Sequence, residues 1–153
     1  MGLFLCNFIN YCKMHIMIEV NNLTKFAVDK AFFLGVAKKV LKGENKEKEN
    51  VSIAFVLEEE MQKLNKKYRG KDKPTDVLSF EKVSDFKEEF CEVVICPAIV
   101  KEHAKDSKLT VKKELATVLI HGLLHCLGYD HERSKEDEEI MFKKQDYYLA
   151  KVK

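Results

Sequence analysis

His121-Gly-Leu-Leu-His125-Cys-Leu-Gly128-Tyr-Asp-His131 is the stretch around which the fold of this chain is organised. It holds three of the five histidines of the 153-residue sequence, in the spacing His-x3-His-x5-His. His121 and His125 are four residues apart, so on a helix they project from the same face. Gly128 is suited to end that helix, because glycine accepts the left-handed conformation of a C-terminal cap. The chain can then turn back and bring His131 towards the other two histidines.

Three imidazoles directed at one point form a tripod for a divalent metal ion. Because the protein supplies only three ligands, a fourth position stays open for water or substrate, as in catalytic rather than structural zinc sites. The motif therefore predicts metal-assisted hydrolysis. Ordinary surface or core histidines are the weaker interpretation, since three at this spacing rarely coincide with a helix-ending glycine. Three imidazoles suit zinc, although nickel, copper and iron also bind them.

Gly122 separates this motif from that of the metzincin peptidases, His-Glu-x-x-His-x-x-Gly-x-x-His, which has the same spacing. In those peptidases the glutamate is the general base that activates the zinc-bound water. Glycine carries no group that exchanges a proton, so a peptidase would need a base from elsewhere in the chain. We therefore rank peptidase activity low and expect Gly122 to allow a close approach of backbone or substrate.

The composition is that of an ordinary globular protein, with 46% hydrophobic and 34% charged residues. The length suits one domain, which we assign to residues 15–153, with residues 1–14 as an N-terminal extension. The net charge of +2 indicates no partner by itself, so the distribution of charge along the chain has to be considered. No run approaches the roughly 18 apolar residues of a transmembrane helix, and we expect no membrane association.

The five cysteines predict a reduced protein in the cytoplasm. Their number is odd, and no two of them form a Cys-x-x-Cys pair or part of a visible disulfide framework. Reduced thiols in a cytoplasmic protein are the simplest interpretation. Cys126 follows His125 directly and lies about 100° from it around a helix, which favours packing over metal coordination.

Hydrophobic periodicity and capping signals predict an α/β (α+β) fold: a small mixed sheet of about four strands, about five helices and a single metal cleft. The helix that carries the histidines is apolar nearly all round, so we expect it to be central and buried. The charged stretch Glu81–Glu89 is predicted to be a loop. The predicted strands are His15–Val20, Val51–Leu57, Val77–Phe80 and Glu92–Cys96; the predicted helices are Thr24–Leu41, Glu58–Arg69 ended by Gly70, and three that begin at Pro97, Thr110 and Ser134.

A second segment, Lys63–Lys73, is strongly basic. It contains five lysines and Arg69 against one acid, Asp72. Such a segment suits a phosphate backbone, and a tyrosine within it can stack on an unpaired base. A solvated helix end is an equally good interpretation, because cations are favourable at helix C-termini. The candidates for nucleic-acid contact are Lys66, Lys67, Tyr68, Lys71 and Lys73.

The two segments together resemble the YbeY family of bacterial rRNA-maturation endoribonucleases. The histidine motif closely resembles one signature of that family, and Asn65-Lys-Lys-Tyr-Arg69 followed by Pro74-Thr-Asp-Val-Leu-Ser-Phe80 is similar to its other block. The likeness extends in order and spacing from about Ile16 to the last predicted helix. Two blocks in the right order are far more specific than the histidines alone.

The sequence departs from the family pattern at two places. Cys126 stands where a leucine is usual, which changes little because it is not a ligand position. Cys91-Glu92 stands where Gly-Asp is usual before a strand, and we expect that difference to alter a turn near the cleft.

The resemblance implies a zinc-dependent endoribonuclease that acts on single-stranded RNA, with roles in maturation of the 16S rRNA 3′ end and in ribosome quality control. By this resemblance His121, His125 and His131 would hold one zinc ion, and Arg69 would be the functional arginine. The expected partners are single-stranded RNA, 16S rRNA and the small ribosomal subunit, without DNA. An alternative is a ribosome assembly factor that cleaves nothing and uses the metal for folding and binding.

The general base is left open by the sequence. Asp76, Asp130 and Glu132 are candidates because they lie near the two segments along the chain. Asp130 is favoured to orient a histidine ligand instead, since carboxylates commonly hold metal-binding imidazoles. Arg69 is expected to hold the scissile phosphate with its forked guanidinium and to offset the charge that develops in the transition state.

Overall fold

A computed structural model of the protein describes residues 17–83 and 90–153, without the side chains of residues 82 and 83. Within this part the chain forms four strands and five helices, which confirms the predicted mixed fold. The predicted extension, residues 1–14, lies outside the described residues. The strands are β1 (Ile18–Asn22), β2 (Asn50–Phe55), β3 (Val77–Val83) and β4 (Phe90–Ile95); the helices are α1 (Lys30–Gly43), α2 (Glu58–Arg69), α3 (Pro97–Ala104), α4 (Val111–Cys126) and α5 (Lys135–Ala150).

The four strands form one mixed sheet in the order β1-β2-β4-β3. β1, β2 and β4 run parallel, and β3 lies antiparallel to β4 at one edge. α1 makes the crossover that the parallel pair β1–β2 requires. Because β3 runs in the opposite direction, its first residue, Val77, pairs with Ile95 at the end of β4. The start of β3 therefore lies at the carboxyl end of the parallel strands.

Alternate residues of the sheet belong to two separate hydrophobic cores. On one face, Ile53 and Val93 pack in a large core with residues of α1, α4 and α5. On the other face, Ala54 and Val94 pack in a smaller core with Met61 of α2. The sheet thus separates α4, the helix that carries two of the histidines, from the basic helix α2.

α4 is the central helix, in contact with α1, α3, α5 and the strands β3 and β4. Thr110 caps it: the side-chain oxygen accepts a hydrogen bond from the Lys113 amide at 3.3 Å. Leu119 and Leu123 are fully buried. Beyond its other end Gly128 has φ +95°, in the left-handed region that favours glycine. The predicted cap, the central position and the helix-ending glycine are all confirmed.

Gly122 marks the closest approach of α4 to the sheet. A Cβ atom at this position would lie 2.7 Å from Cγ1 of Val93 and 3.4 Å from Cγ2 of Val77. A valine side chain is stiff about χ1, so it cannot move aside cheaply. The expectation that Gly122 allows a close backbone approach is confirmed, and this contact sets the distance between α4 and the sheet.

The predicted first helix begins too early. Thr24 does not cap it, because its hydroxyl donates to Asn22 Oδ1 at 2.7 Å and accepts from the Phe26 amide at 3.0 Å. Side-chain bonds of this kind offer the backbone an alternative to helix. The cap is Asp29, whose carboxylate accepts from the Phe32 amide at 3.0 Å.

Local signals predict the other helix starts correctly. α2 spans Glu58–Arg69 as predicted, and Gly70 follows it at φ +69°. Pro97 is the first residue of α3, and Ser134 caps α5 by accepting from the Asp137 amide at 3.1 Å. The expected loop at 81–89 is wrong at its start, where 81–83 continue β3; residues 84–89 lie outside the described part.

The cysteine predictions are partly wrong. Cys91 and Cys126 form a disulfide bond with their Cα atoms 5.7 Å apart, whereas Cys96 is a buried free thiol. The bond joins residues 35 apart in sequence and ties β4 to the C-terminal end of α4. Cys91 and Glu92 lie inside β4, which begins at Phe90, and not before the strand as expected. The expected change in a turn is not tested, because residues 84–89 lie outside the described part.

Gly122→Ala should lower the free energy of unfolding by about 1 to 3 kcal/mol, because overpacking against Val93 outweighs the better helix propensity of alanine. Gly35→Ala is the matched control, since Gly35 lies within α1 and no atom lies within 4 Å of the position of its missing Cβ. The control should raise the free energy of unfolding by about 0.5 to 1 kcal/mol. Urea unfolding measures both, and equal stabilisation by the two alanines would show that α4 moves freely off the sheet.

Candidate metal centre

His121, His125 and His131 converge on one point. Each offers a ring nitrogen, and these nitrogens all lie within 4.8 Å of one another. Nε2 of His121 lies 3.1 Å from Nε2 of His125, and the ring centroid of His131 lies 5.1 Å and 5.0 Å from theirs. All three side chains are half-buried. The structure therefore brings together the three residues that the spacing singled out.

The backbone after α4 explains how His131 returns to the helix. The Gly128 amide donates to the His125 carbonyl at 3.0 Å, and the Tyr129 amide donates to the Leu124 carbonyl at 3.0 Å. These bonds close the end of the helix and turn the chain back. Two of the candidate ligands come from one helix face, and the third comes from the loop that this turn creates.

Two hydrogen bonds fix the orientation of the α4 imidazoles. His121 Nδ1 lies 2.9 Å from Oε1 of Gln145, on α5. If Nδ1 donates its proton to this oxygen, the lone pair of Nε2 is directed to the shared point. The ring of His125 is hydrogen-bonded to the backbone of Tyr129. The ring of His121 is thus held from the side opposite to the shared point.

The environment favours the neutral form of the two helical histidines. Burial is the main cause that lowers the pKa of His121, with the neighbouring His131 adding to it. Burial also lowers the pKa of His125, and the other two imidazoles contribute. Neutral imidazole is the form that binds a metal ion. Three convergent nitrogen donors, two of them on α4 in surroundings that favour neutral imidazole, fit a divalent cation such as zinc.

Glu44 anchors the loop that carries His131. Its carboxylate accepts hydrogen bonds from the hydroxyls of Tyr129 at 2.7 Å and Tyr148 at 2.6 Å, and from Lys144 Nζ at 2.8 Å. Only 8% of the Glu44 side chain is exposed. One buried carboxylate therefore joins the end of α1, the loop after α4 and helix α5.

Of the three base candidates, Asp76 and Asp130 lie near the tripod. The charge of Asp76 acts on His121, and its Oδ2 lies 3.7 Å from Nδ1 of the exposed His103. The charge of Asp130 acts on His125 and His131. Glu132 is exposed on the same loop.

Both carboxylate oxygens of Asp130 contact neighbouring groups of the loop. Oδ1 accepts from the Glu132 amide at 2.9 Å, and Oδ2 lies 3.3 Å from Nε of Arg133. The backbone hydrogen bond is the main cause that lowers the pKa of this carboxyl group. A carboxylate held in this way is suited to shape the loop around His131 more than to accept a proton.

The basic segment Lys63–Lys73 is exposed along most of its length, and Arg69 is the last residue of α2. Lys66 is paired with Asp72 at 2.7 Å, which reduces the free positive charge of the segment. Tyr68 lies edge-on to Phe80 with ring centroids 5.0 Å apart. Nζ of Lys67 lies 5.0 Å from the centroid of the Tyr68 ring. Lys71 and Lys73 are exposed in the loop that follows.

This loop leads directly to the metal centre. Asp76 follows Lys73 by three residues, a reach of at most about 11 Å for an extended chain. Val77, the next residue, lies under Gly122. The basic segment therefore ends beside the tripod even though α2 packs on the other face of the sheet.

Three residues of the site escaped the sequence analysis: Glu44, Gln145 and Phe142. The ring of Phe142, on α5, lies nearly parallel to that of His131, with centroids 5.9 Å apart and an interplanar angle of 26°. It lies 6.4 Å from the ring of His121. The only signal in the sequence was the position of Phe142 and Gln145 three residues apart, which places them on one side of α5.

The structure also bears on the peptidase alternative. Gly122, at the position of the metzincin glutamate, faces Val93 of the sheet and is buried. A glutamate there would have no room and would point away from the tripod. The site thus lacks the base that defines those peptidases.

The fold and the site define a protein with three convergent histidines that could hold a metal ion and a basic segment beside them. A family model described as Endoribonuclease YbeY matches residues 18–153. The Endoribonuclease YbeY of Thermotoga maritima is 42% identical over 103 residues, which is 67% of each chain. That of a Sulfurihydrogenibium species is 38% identical over 128 residues, 82% of this chain and 84% of its own. The solution structure of TM1509 from Thermotoga maritima matches with a TM-score of 0.64 and 35% identity over 89% of each chain.

This chain belongs to the endoribonuclease YbeY family. The match begins at residue 18, where β1 begins, and includes every described strand and helix. Among the described residues, no helix has the length and apolar character needed to cross a membrane.

Glu44→Gln should lower the free energy of unfolding by on the order of 2 kcal/mol at neutral pH, because hydrogen bonds to a charged group are lost. Burial raises the pKa of Glu44, but the bonds from Lys144, Tyr148 and Tyr129 outweigh burial and leave it below its usual value of 4.5. The Glu44 carboxylate therefore stabilises the folded protein fully above pH 4.5, and this stabilisation is lost as the pH falls through the lowered pKa of Glu44.

Urea unfolding of wild type and Glu44→Gln, from neutral pH to below pH 4.5, measures the difference between their free energies of unfolding. This difference should become smaller as the pH falls. Glu47→Gln, at an exposed position in the same loop, is the control and should have little effect. A difference that stayed constant with pH would contradict the assigned role of the carboxylate charge.

Proposed function

We propose that this protein is a zinc-dependent endoribonuclease that cleaves single-stranded RNA in the cytoplasm. We further propose that it acts in maturation of the 16S rRNA 3′ end and in ribosome quality control, with the small ribosomal subunit as partner. The convergence of His121, His125 and His131 beside a basic segment is the observation that carries the proposal. Membership of the endoribonuclease YbeY family supports it.

The three histidines would hold one zinc ion, which supplies Lewis acidity at the scissile phosphate. Gln145 and the backbone of Tyr129 keep His121 and His125 oriented for this task. Arg69 would contact the phosphate with its forked guanidinium and offset the negative charge of the transition state. Arg69 is exposed at the end of α2, so an RNA strand can reach it.

Asp76 is the favoured candidate for the general base. Its charge acts on His121. Its Oδ1 accepts hydrogen bonds from the Val77 amide at 2.8 Å and the Thr75 hydroxyl at 3.2 Å, and its Oδ2 lies 3.7 Å from Nδ1 of the exposed His103. Asp130 has both oxygens engaged and is assigned to positioning His131, while Glu132 remains a further candidate.

The RNA strand would follow the basic segment. Lys67, Lys71 and Lys73 are exposed and lead along the chain towards Asp76. Lys66 would contact phosphate by exchanging its ion pair with Asp72. Tyr68, 38% exposed, would offer the remaining face of its ring to a base.

His125→Ala should lose both bound zinc and cleavage of a labelled single-stranded RNA, whereas wild type from the same preparation should cleave it. His103→Ala is the control because this histidine lies outside the tripod, and it should keep its zinc. Metal content is measured by mass spectrometry and cleavage by gel electrophoresis.

Equal cleavage by wild type and His125→Ala would reveal a contaminating ribonuclease and count against the proposal. Zinc binding without cleavage of free RNA or of ribosomal subunits would instead favour the assembly-factor alternative.

Arg69→Lys should lower kcat/KM for RNA cleavage by about tenfold or more, because an ammonium group cannot form the two parallel bonds of a guanidinium. Lys63→Arg is the control: it lies on the same helix, is paired with Glu60, and keeps its charge. Steady-state kinetics with one RNA substrate compares the two variants. Near-normal cleavage by Arg69→Lys would exclude the forked contact.

A further inference from the structure

Phe142 is an exposed aromatic residue at the rim of the metal centre. It retains 39% of its accessible surface although it is a large hydrophobic residue. Its neighbour Met141 is completely buried and anchors α5 in the main core. Single exposed hydrophobic residues are common on proteins, so exposure alone indicates nothing. The position and orientation of the ring are what distinguish Phe142.

The plane of the Phe142 ring lies within about 35° of the planes of the His131 and His121 imidazoles. It is stacked beside His131, at 5.9 Å and 26°, and lies 6.4 Å from His121 at 35°. Gln145, one turn further along α5, holds His121 at 2.9 Å. The same side of α5 therefore orients a metal ligand and presents a flat apolar face next to it.

Tyr68 is less well placed for stacking at the reacting phosphate. Its ring already contacts the Phe80 ring edge-on and lies near Nζ of Lys67. It belongs to α2, which packs on the opposite face of the sheet from α4. The ring of Phe142, by contrast, lies beside two of the three imidazoles, with centroid distances of 5.9 Å to His131 and 6.4 Å to His121.

A nucleotide whose phosphate reaches the three histidines carries its base only one sugar away. Aromatic side chains bind such bases by stacking, without regard to sequence, because every base has a π face. In a duplex that face is covered by the neighbouring base pairs. An aromatic ring at this distance from the centre therefore suits a strand whose bases are unpaired.

We propose that Phe142 is the platform on which an unpaired RNA base stacks while the adjoining phosphate occupies the metal centre. This inference rests on the proposed function, and it adds a residue that selects single strands over duplexes. The ligand is an unpaired nucleobase of any identity, with stronger binding for bases that stack more strongly.

The first test compares Phe142→Leu with Tyr147→Leu in the zinc-loaded protein. Tyr147 is the matched control: it is 54% exposed on the same helix, five residues further on, and about 140° around it. Phe142→Leu should weaken binding of a single-stranded RNA by about 5- to 150-fold, the range for loss of one stacked base. Tyr147→Leu should bind as wild type does. Fluorescence anisotropy of a labelled oligoribonucleotide measures the affinities.

The second test reports on stacking itself. The chain has no tryptophan, so Phe142→Trp introduces a single indole whose emission is easily followed. Addition of single-stranded RNA should quench this emission on rapid mixing, before cleavage. A duplex of the same sequence, or a strand of equal length that lacks bases, should quench it far less. Tyr147→Trp should show no quenching with any of these ligands.

The outcomes separate the two proposals. If wild type binds and cleaves single-stranded RNA, but Phe142→Leu binds equally well and Phe142→Trp is not quenched, the stacking platform is wrong and the endoribonuclease proposal stands. If wild type neither binds nor cleaves RNA, both fail together. If Phe142→Leu loses its zinc, the quenching of Phe142→Trp decides: base-dependent quenching supports the platform, and equal quenching by the strand without bases overturns it.

Discussion

The close contact between α4 and the sheet at Gly122 determines where the side chains of the three convergent histidines lie. With no Cβ at this position, the helix lies directly against Val93 and Val77. His121, the neighbouring residue, is thereby held near the start of β3, where Asp76 precedes Val77. A larger residue at this point would lift the helix and separate the histidines from that carboxylate. The motif glycine is thus a packing requirement in this chain, in the place where peptidases of the same spacing carry their base.

The second determinant is α5, which approaches the centre from outside the sheet. Gln145 orients His121, while Lys144 and Tyr148 hold Glu44 and, through it, the ring of Tyr129. The helix therefore supports both a histidine of α4 and the loop that carries His131. Such support matters because metal sites are tuned by the groups that hold their ligands as well as by the ligands themselves.

The sequence predicted those features that depend on neighbours along the chain. The bounds of α2, the caps of α4 and α5, and the glycine at 128 all follow from short-range hydrogen bonds and backbone preferences. Thr24 failed as a cap because a competing short-range bond to Asn22 was not considered. The three histidines were found because a helix and one turn suffice to bring them together.

What the sequence did not predict depends on contacts between distant segments. Glu44 lies 85 residues from Tyr129 and 104 from Tyr148, and no local pattern marks a loop glutamate as buried. α5 exposes apolar residues on several sides, including Phe142 and Tyr147, so its sequence does not reveal which one faces the histidines. The pairing of Cys91 with Cys126 likewise depends on how α4 lies on β4. These relationships exist only once the sheet and its helices have been packed together.

The Cys91–Cys126 bond also changes how the chain is connected. It closes a covalent ring that contains α3, the mostly exposed turn after it, and α4. If a peptide bond in that turn were cut, one fragment would carry Arg69 and Asp76 and the other would carry all three histidines. The two fragments would stay joined through sulfur. While the disulfide is intact, the basic segment and the three histidines therefore remain one molecule whether or not the main chain between α3 and α4 is continuous.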